Sequence, residues 1–173
     1  FLLPLILSLI FSLILPPQVS GDSGGYSWRA STGGKIRGRP VSTRDGVVYL
    51  LSEDRHLYAL EENSGRMKWR TFLGGRVWDS LCIGADGTIY TVLKDGDLIA
   101  IGRGGGVAWR FKAAGQPVGN PAAASDGTVY FALETGELYA VAHTGREKWK
   151  ALLGAPPVTG PAALPIGFYP GVF

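Results

Sequence analysis

The chain has 173 residues, of which 46% are hydrophobic and 18% charged, and its formal net charge is +3. This composition is ordinary for a globular protein. The small basic excess, with no basic run interleaved with aromatics, predicts neither a nucleic-acid partner nor an anionic lipid surface. The 26 glycines and 11 prolines are scattered along the chain, which favours many short elements joined by turns over a few long helices.

The chain begins with an uncharged, strongly apolar stretch over residues 1–15. Such a stretch is typical of the apolar core of a secretory signal peptide, and it is shorter than the roughly 20 residues that span a bilayer. We therefore predict that residues 1–21 are a signal peptide cleaved after Gly21, and that the protein is exported to the periplasm or outside the cell. An uncleaved anchor is the alternative, and only through it would the chain contact a membrane. Because the chain starts with Phe1 and no basic segment precedes the apolar run, we expect the signal peptide to be incomplete at its N-terminal end.

A single sequence unit recurs through residues 22–173. Each copy carries an Asp-Gly pair, a Tyr three residues after that Gly, and a closing Trp with a Gly four residues before it. The closing tryptophans are 41, 40 and 40 residues apart, and a fixed period of this size marks an array of supersecondary units. The recurring residues are Asp45, Asp86 and Asp126; Tyr49, Tyr90 and Tyr130; Gly65, Gly105 and Gly145; and Trp28, Trp69, Trp109 and Trp149.

Each period contains four short segments of alternating or β-branched residues bounded by turn residues, which predicts four strands. The turn pairs Asp95-Gly96 and Thr135-Gly136 suit tight hairpins, whereas Asp54-Arg55 suits the same turn less well. No segment has helical periodicity of competing length. The predicted strands are 36–43, 47–52, 57–62 and 67–72; 77–83, 88–93, 98–101 and 107–111; and 118–123, 128–133, 138–141 and 147–152, with a further strand over 26–30.

Four antiparallel strands in about 40 residues are what a β-propeller blade requires. The text from Ala59 to Trp69, ALEENSGRMKW, resembles the tryptophan docking motif of the pyrroloquinoline-quinone-like (PQQ-like) propeller repeats, and the copies ending at Trp109 and Trp149 are similar but one residue shorter. The resemblance implies an all-β propeller in which the recurring Trp and Gly residues are structural. It implies blades over 36–72, 77–112 and 117–152, a partial blade over 158–173, and an outer strand over 26–31 that completes the closing blade. About three and a half blades would then form part of a larger ring.

The copies differ at the mouth of the innermost strand of each unit. The units there read Ile36–Pro40, Val77–Ser80, Val118–Pro121 and Val158–Pro161. Structure requires the apolar residue and mostly the Pro, whereas the residues between them would face the central channel or its rim, where ligands usually meet a propeller. The candidate ligand or partner contacts are therefore Arg37, Arg39, Trp78, Asp79 and Asn120, with solvated loop positions as the alternative.

The remaining polar residues form no catalytic or metal-binding pattern. Cys82 is the single cysteine, and His56 and His143 have no partner at ligand or triad spacing. We therefore favour a non-catalytic propeller that needs no cofactor. The resemblance to propellers of bacterial envelopes implies an exported binding or scaffold module of the bacterial cell envelope, which would contact a protein or envelope component through its rim. The resemblance leaves two alternatives. One is a fragment of a PQQ-dependent dehydrogenase, a family whose pattern includes adjacent cysteines and a carboxylate-bound calcium, and the other is the extracellular sensor domain of a receptor.

Overall fold

The computed structural model describes residues 28–154 and 157–162, and the regular secondary structure in this part of the chain is entirely β. None of the described residues belongs to a helix that could cross a membrane. The strands are β1 (Ile36–Ser42), β2 (Val47–Ser52), β3 (His56–Glu61), β4 (Met67–Phe72), β5 (Val77–Ile83), β6 (Ile89–Leu93), β7 (Leu98–Ile101), β8 (Val107–Phe111), β9 (Pro117–Ala123), β10 (Val129–Leu133), β11 (Glu137–Val141) and β12 (Glu147–Leu152).

The strands form three antiparallel sheets in chain order, β1 to β4, β5 to β8, and β9 to β12. Each sheet is one blade of four sequential strands, and the first strands of the blades, β1, β5 and β9, are neighbours. The predicted all-β blade architecture is therefore confirmed, and the predicted bounds of these strands differ from the observed ones by at most one residue at either end. The expected signal peptide and most of the partial blade fall on residues outside those described.

The hydrophobic core lies between the blades. One cluster joins Tyr49 and Leu57 of the first blade to Ile99 of the second, and another joins Leu98 of the second to Phe131 of the third. The middle strands are buried on both faces because they are sandwiched between neighbouring blades, whereas β4, β8 and β12 are largely exposed. Removal of this apolar surface from water is the main force that holds consecutive blades together.

The loops divide the blades into two faces. The connector face carries the turns between second and third strands and the links between blades, residues 53–55, 73–76, 94–97, 112–116 and 134–136. The Asp-Gly face carries the remaining turns, residues 43–46, 62–66, 84–88, 102–106, 124–128 and 142–146.

The N-terminal part of the described chain differs from the sequence prediction. A strand was predicted over Tyr26–Ala30, but residues 28–30 form no strand, and residues 26 and 27 lie outside the described part. The physical reason is that no described strand pairs with this segment, and a single strand has no partner for its backbone hydrogen bonds. Trp28 nevertheless packs against the first blade, with its ring against Gly65.

The turn between β2 and β3 holds a non-glycine residue in a left-handed backbone conformation. Arg55 has a φ of 68°, whereas the equivalent turns of the next two blades place Gly96 and Gly136 at 98° and 84°. The Arg55 amide closes the turn by donating to the Ser52 carbonyl at 3.0 Å. A left-handed conformation costs an L-residue roughly 1–2 kcal/mol, so this turn is strained where the other two are not.

Replacing Arg55 with glycine is expected to raise the free energy of unfolding by about 0.5–1 kcal/mol, because the relief of left-handed strain exceeds the entropy that glycine adds to the unfolded chain. Urea unfolding followed by circular dichroism measures the change. The reverse substitution, Gly96→Arg, should cost at least about 2 kcal/mol, since a Cβ at Gly96 would lie 2.6 Å from the Gly115 carbonyl oxygen. A free energy of unfolding that stays the same or falls in R55G would contradict the strain argument.

Candidate functional site

The innermost strands lie side by side, with β1 next to β5 and β5 next to β9. A Cβ at Gly38 of β1 would lie 2.5 Å from the carbonyl oxygen of Asp79 in β5, and a Cβ at Gly119 of β9 would lie 2.2 Å from the amide nitrogen of Gly160, in the segment that follows the third blade. The pairing of each innermost strand with its neighbour also shifts register near these points, which is the mark of a β-bulge. Bulges commonly re-aim the side chains beside them.

A cavity of about 590 Å³ opens where these strands converge, and we call it the axial cavity. It is lined by Arg39 from β1, Asp79 from β5 and Asn120 from β9, together with apolar and small residues of the same strands. All three are exposed. A cation, a carboxylate and an amide, one from each blade, therefore surround one opening and could donate and accept hydrogen bonds to a single ligand.

The other two candidate residues lie nearer the connector face. Arg37 forms an ion pair with Glu53, and both side chains are well exposed, at 42% and 36%. Trp78 is half-buried, and the Lys94 ammonium lies 5.2 Å from the centre of its ring, within cation–π range. The structure thus divides the five candidate residues into an axial group of three and a connector-face group of two.

The aspartates of the second and third Asp-Gly turns have a structural role. Asp86 accepts hydrogen bonds from the amide and the hydroxyl of Thr88 at 2.9 and 2.8 Å, and Asp126 accepts the same pair from Thr128 at the same distances. These backbone and side-chain hydrogen bonds lower the pKa of both carboxyl groups below the ordinary value. Both aspartates are therefore held as ionised caps of their own turns.

The recurring tryptophans join each blade to the next. The indole N–H of Trp28, Trp69 and Trp109 donates to a backbone carbonyl that lies 34 residues later in each case, at 2.6, 3.0 and 2.7 Å. The acceptors are Glu62, Arg103 and His143, in the turn between the third and fourth strands of the following blade. This contact accounts for the repetition of Trp in structural terms.

The recurring glycines make room for these indoles. A Cβ at Gly65, Gly105 or Gly145 would lie 2.4 to 2.8 Å from the Trp ring of the preceding unit, and all three residues have φ between 67° and 87°. The sequence indicates a backbone requirement at these positions, and the structure adds that each glycine is also the surface on which a tryptophan rests. Only the three-dimensional arrangement of blades reveals this second requirement.

Cys82 packs against the core cluster between the second and third blades. Burial raises the pKa of its thiol to about 12, so the thiolate that nucleophilic chemistry requires is almost absent near neutral pH. Among residues 28–154 and 157–162, no group of three or more His, Cys, Asp or Glu side chains is arranged to hold a metal ion.

Consecutive four-stranded blades that are joined by docked tryptophans define the class of PQQ-like β-propeller repeat proteins. A family model described as outer membrane protein assembly factor BamB matches residues 18–164, and the chain belongs to this family. No curated protein sequence matches the chain.

Among solved structures, the crystal structure of BamB from Moraxella catarrhalis is similar, with a TM-score of 0.64 and 20% sequence identity. The match covers 76% of this chain and 41% of the BamB chain, so the chain spans less than half the length of that protein. At this identity the likeness concerns the fold alone.

Proposed function

We propose that the chain is a non-catalytic, exported binding or scaffold module of the bacterial cell envelope, and that it holds a protein or envelope component at its rim and axial cavity. Family membership supports an envelope role, since the matching model is described as an outer membrane protein assembly factor. The expected signal peptide over residues 1–21 supplies the export route.

The observation that carries the proposal is the separation between recurring and varying residues. The recurring residues that the structure describes have structural partners, such as the indole acceptors and the Thr partners of Asp86 and Asp126. The varying residues Arg39, Asp79 and Asn120 instead meet at one open cavity. Side chains that the blade frame does not use, gathered at one place and exposed, suit recognition of a partner.

We also propose that the chain holds no resident cofactor. PQQ is the cofactor to test because the repeats resemble those of quinoproteins. Cys82 is the only cysteine in these 173 residues, so they contain no adjacent cysteine pair. When the purified protein is titrated with PQQ and Ca²⁺, the absorbance spectrum of the mixture should equal the sum of the separate spectra of the protein and of PQQ with Ca²⁺. Tight binding, with oxidation of an alcohol or sugar, would instead support the dehydrogenase alternative.

The direct test is photo-crosslinking from the axial cavity in the cells that naturally make the protein. A benzophenone amino acid is introduced at Asn120, and separately at Lys68, which is exposed on the outer strand β4. The proposal expects a discrete crosslinked partner from position 120, identified by mass spectrometry, and a much weaker adduct or none from position 68.

Combining N120A with Arg39→Ala and Asp79→Ala should then weaken recovery of that partner at unchanged thermal stability, because all three side chains are exposed. Equal adducts from positions 68 and 120, or capture unaffected by the triple substitution, would contradict a role for the axial cavity.

A further inference from the structure

A second site lies on the connector face, in a cleft between the first and second blades. The cleft has a volume of about 210 Å³ and is lined by Arg37, Glu53, Arg76, Val77 and Lys94, and we call it the basic cleft. It shares Arg37 with the sequence-predicted candidates, but Arg76 and Lys94 are new. Val77 begins β5, so Arg76 precedes that strand directly, and Lys94 directly follows β6.

The charges in the basic cleft are not balanced. Arg37 is paired with Glu53. No carboxylate among the described residues lies within ion-pair distance of Arg76 or Lys94. Three cations and one carboxylate leave the cleft with a net charge of +2, and the adjacent Trp78 ring contacts Lys94 through a cation–π interaction.

Comparison of the three blades indicates that the fold itself does not require these cations. In each of the three blades the residue after the second strand donates its amide to the carbonyl of the residue before the first strand, at 2.8 or 2.9 Å. The bonded pairs are Lys35 with Glu53, Arg76 with Lys94, and Gln116 with Glu134. The same backbone bond thus forms whether the two residues carry a cationic and an acidic side chain, two cationic side chains, or an amide and an acidic side chain. The doubling of positive charge in the second blade therefore has no backbone cause.

The size of the basic cleft favours an anionic side chain of a larger partner over a free small-molecule anion. Small-molecule sites usually enclose roughly 300–1,000 Å³, and the cleft, at about 210 Å³, is smaller than that range. A volume of this size suits a single side chain that projects from a larger partner. The half-buried Trp78 also provides apolar surface beside Lys94, which suits an apolar residue next to a carboxylate in a peptide.

We infer that the basic cleft receives the carboxylate side chains of an acidic peptide segment in a partner protein, with Arg76 and Lys94 as the binding cations. The inference rests on the proposed function, because it names the chemistry of a partner for a binding module. It concerns a surface separate from the axial cavity, so crosslinking from Asn120 and peptide binding at the cleft succeed or fail independently.

The probe is a short fluorescein-labelled peptide of glutamate, leucine and serine, with a lysine-for-glutamate version as its counterpart, and fluorescence anisotropy reports binding to the full chain. The wild type should prefer the glutamate peptide, and raising the salt concentration should weaken this binding. The double substitution Arg76→Glu and Lys94→Glu should weaken glutamate-peptide binding by at least about tenfold and strengthen binding of the lysine peptide.

The matched control is Lys68→Glu with Arg146→Glu, which changes the net charge by the same amount at exposed positions away from the cleft. It should retain wild-type preference to within about twofold. Equal binding of both peptides by the wild type, or an equal loss in the control, would overturn the inference. Displacement of the peptide by inorganic phosphate at equal concentration would also overturn it, since it would identify a site for small anions.

Discussion

Substitution of Gly105 with alanine is expected to lower the free energy of unfolding by about 2–3 kcal/mol. Gly105 has a φ of 87°, and a left-handed conformation costs alanine roughly 1–2 kcal/mol. The new methyl group would also lie 2.8 Å from the Trp69 ring and force it away from its acceptor, the Arg103 carbonyl, at a cost of about 1 kcal/mol. Urea unfolding followed by circular dichroism measures the difference.

The adjacent Gly104 provides the control. A Cβ at Gly104 would meet no heavy atom within 4 Å, and its backbone is outside the left-handed region. Gly104→Ala should therefore change the free energy of unfolding by no more than about 0.5–1 kcal/mol, in the stabilising direction, through reduced entropy of the unfolded chain. If the two substitutions cost the same, the docking of Trp69 on Gly105 is not what makes the glycine necessary.

Most of the blade frame could be predicted from the sequence because its signals are local and repeated. Short apolar runs such as Val47–Ser52, bounded by turn pairs such as Asp95-Gly96, fix each hairpin within about 15 residues of chain. The docking of Trp69 on Gly105 joins residues 36 positions apart in different blades. The sequence shows that both recur, but their contact follows only from the way consecutive blades stack.

The candidate site was less predictable because residue type is a poor guide to equivalent positions in the innermost strands. Sequence comparison aligned Val118 with Val77, yet Pro117 pairs with Leu133 as Val77 pairs with Leu93. Val77 and Pro117 are 40 residues apart, as Trp109 and Trp149 are, so the repeat period gives the observed equivalence and the match between two valines does not. The basic cleft was missed for a different reason. Arg76 and Lys94 are 18 residues apart, and their proximity depends on the backbone bond between them at 2.9 Å.

Replacing Trp109 with alanine is expected to lower the free energy of unfolding by about 3 kcal/mol. The indole is half-buried between blades, its centre is 5.8 Å from that of the Tyr90 ring, and its N–H donates to the His143 carbonyl at 2.7 Å. Loss of a large aromatic side chain from a core costs about 3–5 kcal/mol, and partial exposure of Trp109 places its cost at the lower end. Urea unfolding of the variant, followed by circular dichroism, provides the measurement.

Two further variants separate the parts of this contact. Trp109→Phe retains most of the apolar surface but removes the indole N–H, so it should cost only about 1–2 kcal/mol. Trp149 occupies the same position in the third blade, where it retains the tyrosine contact at 5.8 Å to Tyr130 but is 38% exposed. Trp149→Ala should therefore cost only about 1 kcal/mol, because the more exposed indole loses less apolar contact when it is removed. An equal loss in the free energy of unfolding for Trp149→Ala and Trp109→Ala would show that the stabilisation comes from packing within a blade. The docking of each tryptophan on the next blade would then contribute little to the stability of the array.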